Sequence, residues 1–132
     1  MYGICGIIRF DNQKVQEDSI KKMMQIMKHR GPDNEGMFIE GNVGLGFVRL
    51  SIIDFTSTGH QPMFSYDERY VVVYNGEIYN YIELRDELKS KGYFFKTNSG
   101  TEVLLTAFTE WGEECLNKFN GMWAFVVYDR LD

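Results

Sequence analysis

Asn75-Gly76 is the pair in this chain best suited to meet a ligand. It follows an apolar run, Tyr70 to Tyr74, and comes just before a helix signal at Asn80. At such a junction backbone N–H groups and an amide side chain can converge on a bound molecule. Asn-Gly is also a common hairpin turn, so its chemistry depends on the surrounding sequence. Other reactive groups are sparse. Cys5 and Cys115 form no CxxC or Cys/His spacing, which suggests neither a disulfide framework nor a metal site. His60, one of two histidines, sits beside Gln61-Pro62 in a polar loop and is a poor candidate for a catalytic base.

The elements that must hold Asn75-Gly76 are legible from periodicity. Tyr2–Phe10 reads as a strand with apolar groups on both faces, as expected of a strand buried on both sides. A helix is predicted over Gln16–His29, with Ile20, Met23, Met24 and Met27 on one face. Arg30-Gly31-Pro32-Asp33 ends it, because proline cannot continue a helix and glycine suits its C-terminus. Two strands follow, Gly36–Glu40 and Val43–Leu50, around a turn at Glu40-Gly41-Asn42. Tyr70–Tyr74 is a strand apolar on both faces. Asn80 and Glu83 then match a capping box, opening a helix that buries Tyr81, Leu84 and Leu88 and ends at Gly92. Tyr93-Phe94-Phe95 is a short strand candidate. Ser99 and Glu102 match a second capping box, before a helix carrying Leu104, Leu105, Phe108 and Trp111. A short helix over Glu113–Phe119 and a strand over Met122–Tyr128 complete the chain. Strands apolar on both faces with amphipathic helices between them imply an α+β fold of stacked sheets covered by helices.

Composition narrows the function. The 132 residues suffice for one domain with a core, and 44% apolar and 25% charged residues are ordinary for a globular protein. The net charge of −5 offers no basic footprint for nucleic acid. No apolar run approaches a membrane span, and no signal peptide is evident at the N-terminus. A reducing cytoplasm is the expected compartment.

Several motifs occur together and in order: Arg49-Leu50-Ser51-Ile52-Ile53-Asp54, His60-Gln61-Pro62-Met63 and Asn75-Gly76-Glu77-Ile78-Tyr79-Asn80. Over nearly the whole chain they resemble the glutaminase domain of asparagine synthetases, the class II or N-terminal nucleophile glutamine amidotransferases. The resemblance implies a four-layer αββα sandwich, two antiparallel sheets face to face with helices outside. It implies hydrolysis of glutamine to glutamate and ammonia, with an N-terminal cysteine as nucleophile and its own α-amine as base. Carried onto this sequence, the Asn75 side chain and the Gly76 N–H would meet the tetrahedral oxyanion. Arg49 would pair with the α-carboxylate of glutamine, and Glu77 would accept from its α-ammonium. Backbone around Ile52 and Ile53 would line the pocket, with the Arg-Gly-Pro-Asp and His-Gln-Pro stretches serving to shape it.

Two positions depart from the family pattern. The family begins Met-Cys-Gly-Ile-x-Gly, whereas this chain begins Met1-Tyr2-Gly3-Ile4-Cys5-Gly6. Tyr2 therefore stands where the nucleophile belongs. A phenol has a reference pKa near 10, so only about one in a thousand is ionised at neutral pH. Cys5 lies an odd number of residues away, on the opposite face of a strand. The second departure is Ser99-Gly100-Thr101-Glu102-Val103, where Gly100 replaces the aspartate that is a second acceptor for the α-ammonium. Three functions follow from these residues: an amidotransferase domain that has lost hydrolysis, a glutaminase activated by trimming Met1 to Ile4 and exposing Cys5, or a non-catalytic glutamine-binding or interaction module. The resemblance further implies a strand beyond Asp129-Arg130 and a synthetase domain in cis or trans. The chain is then expected to be a C-terminally incomplete amidotransferase domain, a fragment or a short relative. No cofactor is expected in this domain, with ATP and magnesium confined to the synthetase. An open edge on the last strand would invite self-association into a homo-oligomer.

Overall fold

The computed structural model describes residues 2–30, 34–49 and 60–131. Two three-stranded antiparallel sheets form its centre. The first contains β1 (Tyr2–Ile8), β2 (Asn34–Glu40) and β3 (Val43–Arg49), in the order β1-β3-β2. The second contains β4 (Met63–Phe64), β5 (Tyr70–Ile78) and β6 (Gly121–Asp129), in the order β4-β5-β6. Helix α1 (Glu17–Ile26) packs on the outer face of the first sheet, while α2 (Tyr81–Ser90) and α3 (Gly100–Trp111) pack on the outer face of the second.

Side-chain alternation along each strand accounts for these layers. On β3, Val43, Leu45 and Phe47 point between the sheets, where they meet Val71 and Val73 of β5. Val48 points the other way, to Ile20 and Met24 of α1. On β5, Val72, Tyr74 and Ile78 face Leu84 and Leu88 of α2 and Leu104 and Leu105 of α3. The Phe38 and Tyr128 rings, 5.9 Å apart, join β2 to β6 across the middle layer. Each fully buried Val, Leu or Phe contributes roughly 1.5–3 kcal/mol relative to exposure, so the core rests on these three apolar layers.

The structure amends the sequence reading at several elements. β5 does not end at Tyr74: it runs through Asn75-Gly76 to Ile78, with Asn75 opposite Ala124 and Gly76 opposite Trp123. Pairing with a distant strand overrides the local turn preference of Asn-Gly. β1 is an edge strand and only partly buried, and Phe10 lies beyond it in solvent. β6 is likewise an edge, and its exposed Met122 and Val126 alternate with half-buried Trp123, Phe125 and Val127. Asn80 does not cap α2 with its side chain. Its amide donates to the Lys118 carbonyl at 2.8 Å and its oxygen accepts from the Asn120 N–H at 2.9 Å, which ties the end of β5 to the start of β6. Ser99 does cap α3 by accepting from the Glu102 N–H at 3.3 Å. The Glu102 carboxylate does not reach back to Ser99 but takes the Lys96 and Thr97 N–H groups at 2.8 and 2.7 Å. Tyr93-Phe94-Phe95 forms no strand, and Phe94 is 81% exposed. The short helix expected before the last strand is a 3-10 helix at Gly112–Lys118. Among the described residues no helix is long and apolar enough to cross a membrane.

Candidate active site

Strand pairing brings the predicted residues together at one end of the sandwich. The β1–β3 register sets Tyr2 directly opposite Arg49. Both side chains leave their strands on the face shared by Ile4 and Phe47, between the sheets. The Tyr2 ring lies against Phe47, with centroids 5.5 Å apart. Arg49 is buried, at 7% exposure. A cleft of about 410 Å³ opens here. Tyr2 and Arg49 form one wall, Tyr74, Gly76 and Glu77 of β5 a second, and the first turn of α3, including Gly100, a third.

Gly76 is set by close backbone packing. A Cβ at this position would overlap the Met122 carbonyl oxygen and the Trp123 Cα of β6. Its backbone, at φ +156°, follows a path that glycine adopts readily. The ladder also orients its N–H. At the ends of the β5–β6 pairing, Tyr79 N–H donates to the Asn120 carbonyl at 2.6 Å and Arg130 N–H to the Arg69 carbonyl at 2.8 Å. Bonded pairs alternate in an antiparallel ladder, so odd-numbered residues of β5 bond to β6 and even-numbered ones face the other edge. Tyr74 obeys this rule, and its N–H donates away from β6 to Gln61 Oε1 at 2.6 Å. Gly76 therefore turns its N–H to the same edge as Tyr74. Asn75 does not line the cleft: it sits half-buried between two residues that do, on the inter-sheet face of β5 with Val71 and Val73.

The remaining predicted residues separate. Gly100 is the first residue of α3, and a Cβ there meets nothing within 4 Å, so the cleft has room for a longer side chain at this point. Cys5 is on the opposite face of β1 from Tyr2, packed with Ile7 beneath α1 near Ile20 and Met24. Burial there pushes its thiol pKa up, partly offset by a hydrogen bond to the Gly46 backbone. His60 stacks edge-on against Phe47 and hydrogen bonds Asn34 at 3.1 Å, a structural placement. Ile52 and Ile53 lie outside the described residues. Burial, followed by the nearby Glu77 and Tyr2, raises the Tyr74 phenol well above the usual range, so this phenol stays protonated.

Sequence reasoning names Gln61 only within the His60-Gln61-Pro62 stretch expected to shape the pocket, and it gives Thr101 no role. Gln61 is fully buried, and its Nε2 donates to Thr101 Oγ1 at 3.3 Å while its Oε1 holds the Tyr74 N–H. The signal in the sequence is the His60-Gln61-Pro62 motif, which marks the loop but assigns the Gln61 side chain no partner. A roomier cleft of about 620 Å³ lies elsewhere, between the β4–β5 hairpin and the outer face of α3. It contains none of the predicted residues, and its Asp67 and Glu102 are occupied with Ser65 and with the Lys96 and Thr97 backbone. The smaller cleft, which gathers the motif residues, is the candidate site. Among the described residues no cluster of three or more His, Cys, Asp or Glu side chains could hold a metal ion.

The four αββα layers, with a cleft where β1 begins and β3 ends, define a fold of the N-terminal nucleophile amidotransferase type. The glutamine phosphoribosylpyrophosphate amidotransferase of B. subtilis, solved with ADP and GMP, shares it with a TM-score of 0.79 at 18% identity, over 98% of this chain and 35% of that one. A family profile described as "Glutamine amidotransferase domain" matches residues 1–132. The chain belongs to this family, as a domain of the asparagine synthetase-like kind. It is 52% identical to asparagine synthetase [glutamine-hydrolyzing] 1 of Bacillus subtilis, over 98% of this chain and 21% of the relative. It is 39% identical to asparagine synthetase [glutamine-hydrolyzing] 2 of Arabidopsis thaliana, over 98% and 22%. The chain thus spans about a fifth of the length of these relatives.

Proposed function

We propose that this chain binds glutamine in the cleft at the end of the sandwich and does not hydrolyse it, because Tyr2 holds the nucleophile position. Arg49 takes the α-carboxylate. Glu77 accepts from the α-ammonium. The Gly76 N–H meets the amide oxygen. Gly100 leaves out the second acceptor for the ammonium group. The single observation that carries this reading is the orientation of β1, which turns Tyr2 to the cleft and Cys5 to α1. Loss of a nucleophile typically costs about a million-fold in turnover, so the remaining oxyanion donors alone would not sustain the reaction. Trimming to Cys5 is disfavoured, because Cys5 would have to cross from one face of the strand to the other, turning its apolar set over. The domain then serves a synthetase domain, in cis or in trans, that uses ATP and magnesium in the cytoplasm and takes ammonia from another source.

Glutamate release and glutamine binding, measured on the same preparation, test this reading. Saturable glutamine binding with no release above the blank is expected. The Tyr2→Cys, Gly100→Asp double variant should then release glutamate once Met1 is removed. Turnover by the unaltered chain would overturn the proposal, and so would a folded double variant that neither binds nor hydrolyses glutamine.

A further inference from the structure

We propose that Gln61 is a positioning residue that ends the ladder on the β4 edge of β5 at Tyr74, leaving the Gly76 N–H open to the cleft, and sets the distance between the cleft's β5 and α3 walls. The inference rests on the reading of Gly76 as an oxyanion donor. β4 pairs with β5 only at Met63 opposite Val72 and Phe64 opposite Val71. Continued by two more residues, this register would bring the Gln61 backbone opposite Tyr74. The backbone goes elsewhere: the Gln61 carbonyl oxygen lies so close to Gly36 of β2 that a Cβ there would overlap it. The side chain replaces the missing ladder bond, with Oε1 accepting from the Tyr74 N–H at 2.6 Å. Because the oxygen is committed to Tyr74, the nitrogen faces α3 and donates to Thr101 Oγ1 at 3.3 Å.

Three consequences follow. The ladder on this edge of β5 stops at Tyr74, so the next N–H on the edge, that of Gly76, faces the cleft instead of β4. Tyr74 and Thr101, which Gln61 joins, belong to two different walls of the cleft. Thr101 also follows Gly100, so the same bond fixes the α3 end where the family has its ammonium acceptor. Gln61 itself does not line the cleft. It has no exposed surface, and a buried amide of this size is tolerated only with its hydrogen bonds made. Its effect on ligand binding must therefore pass through Tyr74 and Thr101.

Three variants of the full chain separate positioning from simple core filling. Thr101→Val breaks the link to α3 alone, Gln61→Met breaks both bonds, and Gln61→Glu keeps both contacts but buries a charge between the two walls unless its carboxyl is protonated. The readouts are the Gly76 amide resonance, L-glutamine affinity and thermal stability. Thr101→Val should shift the Gly76 resonance and weaken glutamine binding about five- to tenfold, the loss of roughly one hydrogen bond, at temperatures where the variant is fully folded. Gln61→Glu should regain both properties as pH falls, compared with the unaltered chain at the same pH, since burial raises a carboxyl's pKa. A Gly76 resonance and glutamine affinity unchanged in every folded variant would overturn the proposal, even with a fall in melting temperature. Should Gln61→Met fail to fold, the other two variants still decide. If the unaltered chain binds no glutamine, the functional reading fails, and the Gly76 resonance alone then decides the role of Gln61.

Discussion

Gly100→Asp should raise both glutamine affinity and stability, by separable amounts. Gly100 opens α3 directly after the Ser99 cap, and its missing side chain borders the cleft with empty space around it. A carboxylate placed there adds a charge-assisted acceptor for the α-ammonium, worth about 1.5–3 kcal/mol. That corresponds to roughly ten- to a hundredfold in glutamine Kd. In the first turn of a 12-residue helix the same substitution gains a few tenths of a kcal/mol in propensity and about 0.3–1 kcal/mol from the helix dipole. Together these should raise the melting temperature by about 2–6 °C for a domain of this size. Calorimetric titration with L-glutamine and a thermal melt measure the two effects. Gly100→Asn, which keeps the polarity without the charge, should give a much smaller gain in affinity. A Gly100→Asp protein that is more stable but binds glutamine no better, or worse through repulsion from Glu77, would refute the assignment of residue 100 to the ammonium site.

Gly76→Ala should lose about 1–3 kcal/mol or more in chemical denaturation, because its methyl group would strike the backbone of β6 at Met122 and Trp123; an alanine variant of normal stability would contradict the register. Arg69 grips Asp129 with two hydrogen bonds of 2.9 and 2.8 Å, and this contact first and foremost lowers the Asp129 pKa. A lowered folded-state pKa contributes stability above the unfolded value, near 3.9, that is lost as pH falls through the folded value. Arg69→Gln should therefore flatten the acid limb of the stability profile, and an unchanged limb would count against the pair. Burial pushes the Cys115 thiol up to about 11 and also raises Cys5. These shifts contribute stability below the unfolded thiol pKa, near 8.5, that is lost as pH rises toward the folded values. Both thiols should also react far more slowly with a water-soluble alkylating reagent at neutral pH than in the denatured chain, and rapid labelling of Cys5 in the folded state would show that β1 is misread.

The layered fold was legible because the apolar patterns are local. Ile20 and Met24 on α1, Val43 to Val48 on β3 and Leu104 and Leu105 on α3 all carry their periodicity in a few consecutive residues. The errors arose where distant partners decide. Asn75-Gly76 reads as a turn in isolation, and only Ala124 and Trp123, nearly fifty positions away, draw it into a strand. Asn80 has the chemistry of a helix cap but spends its amide on Lys118 and Asn120, which no local window contains. The aromatic run at Tyr93 has strand propensity without a neighbouring strand to pair with. Gln61 was hidden for a different reason. Long polar side chains are seldom buried, so composition assigns them to the surface unless a specific partner is known. At the site, the motif order identified Arg49, Gly76, Glu77 and the two departures at Tyr2 and Gly100, all five of which line one cleft. The direction of the Gly76 N–H, by contrast, follows from ladder parity, which depends on the register of β5 against β6.

The most direct measurement is the intact mass of the chain before and after incubation with an electrophilic glutamine analogue, alongside the Tyr2→Cys variant. The account predicts no adduct on the unaltered chain and a single adduct at residue 2 of the variant once Met1 is removed. An adduct on the unaltered chain, mapped to a new N-terminus at Cys5, would contradict it and make this domain a glutaminase activated by processing.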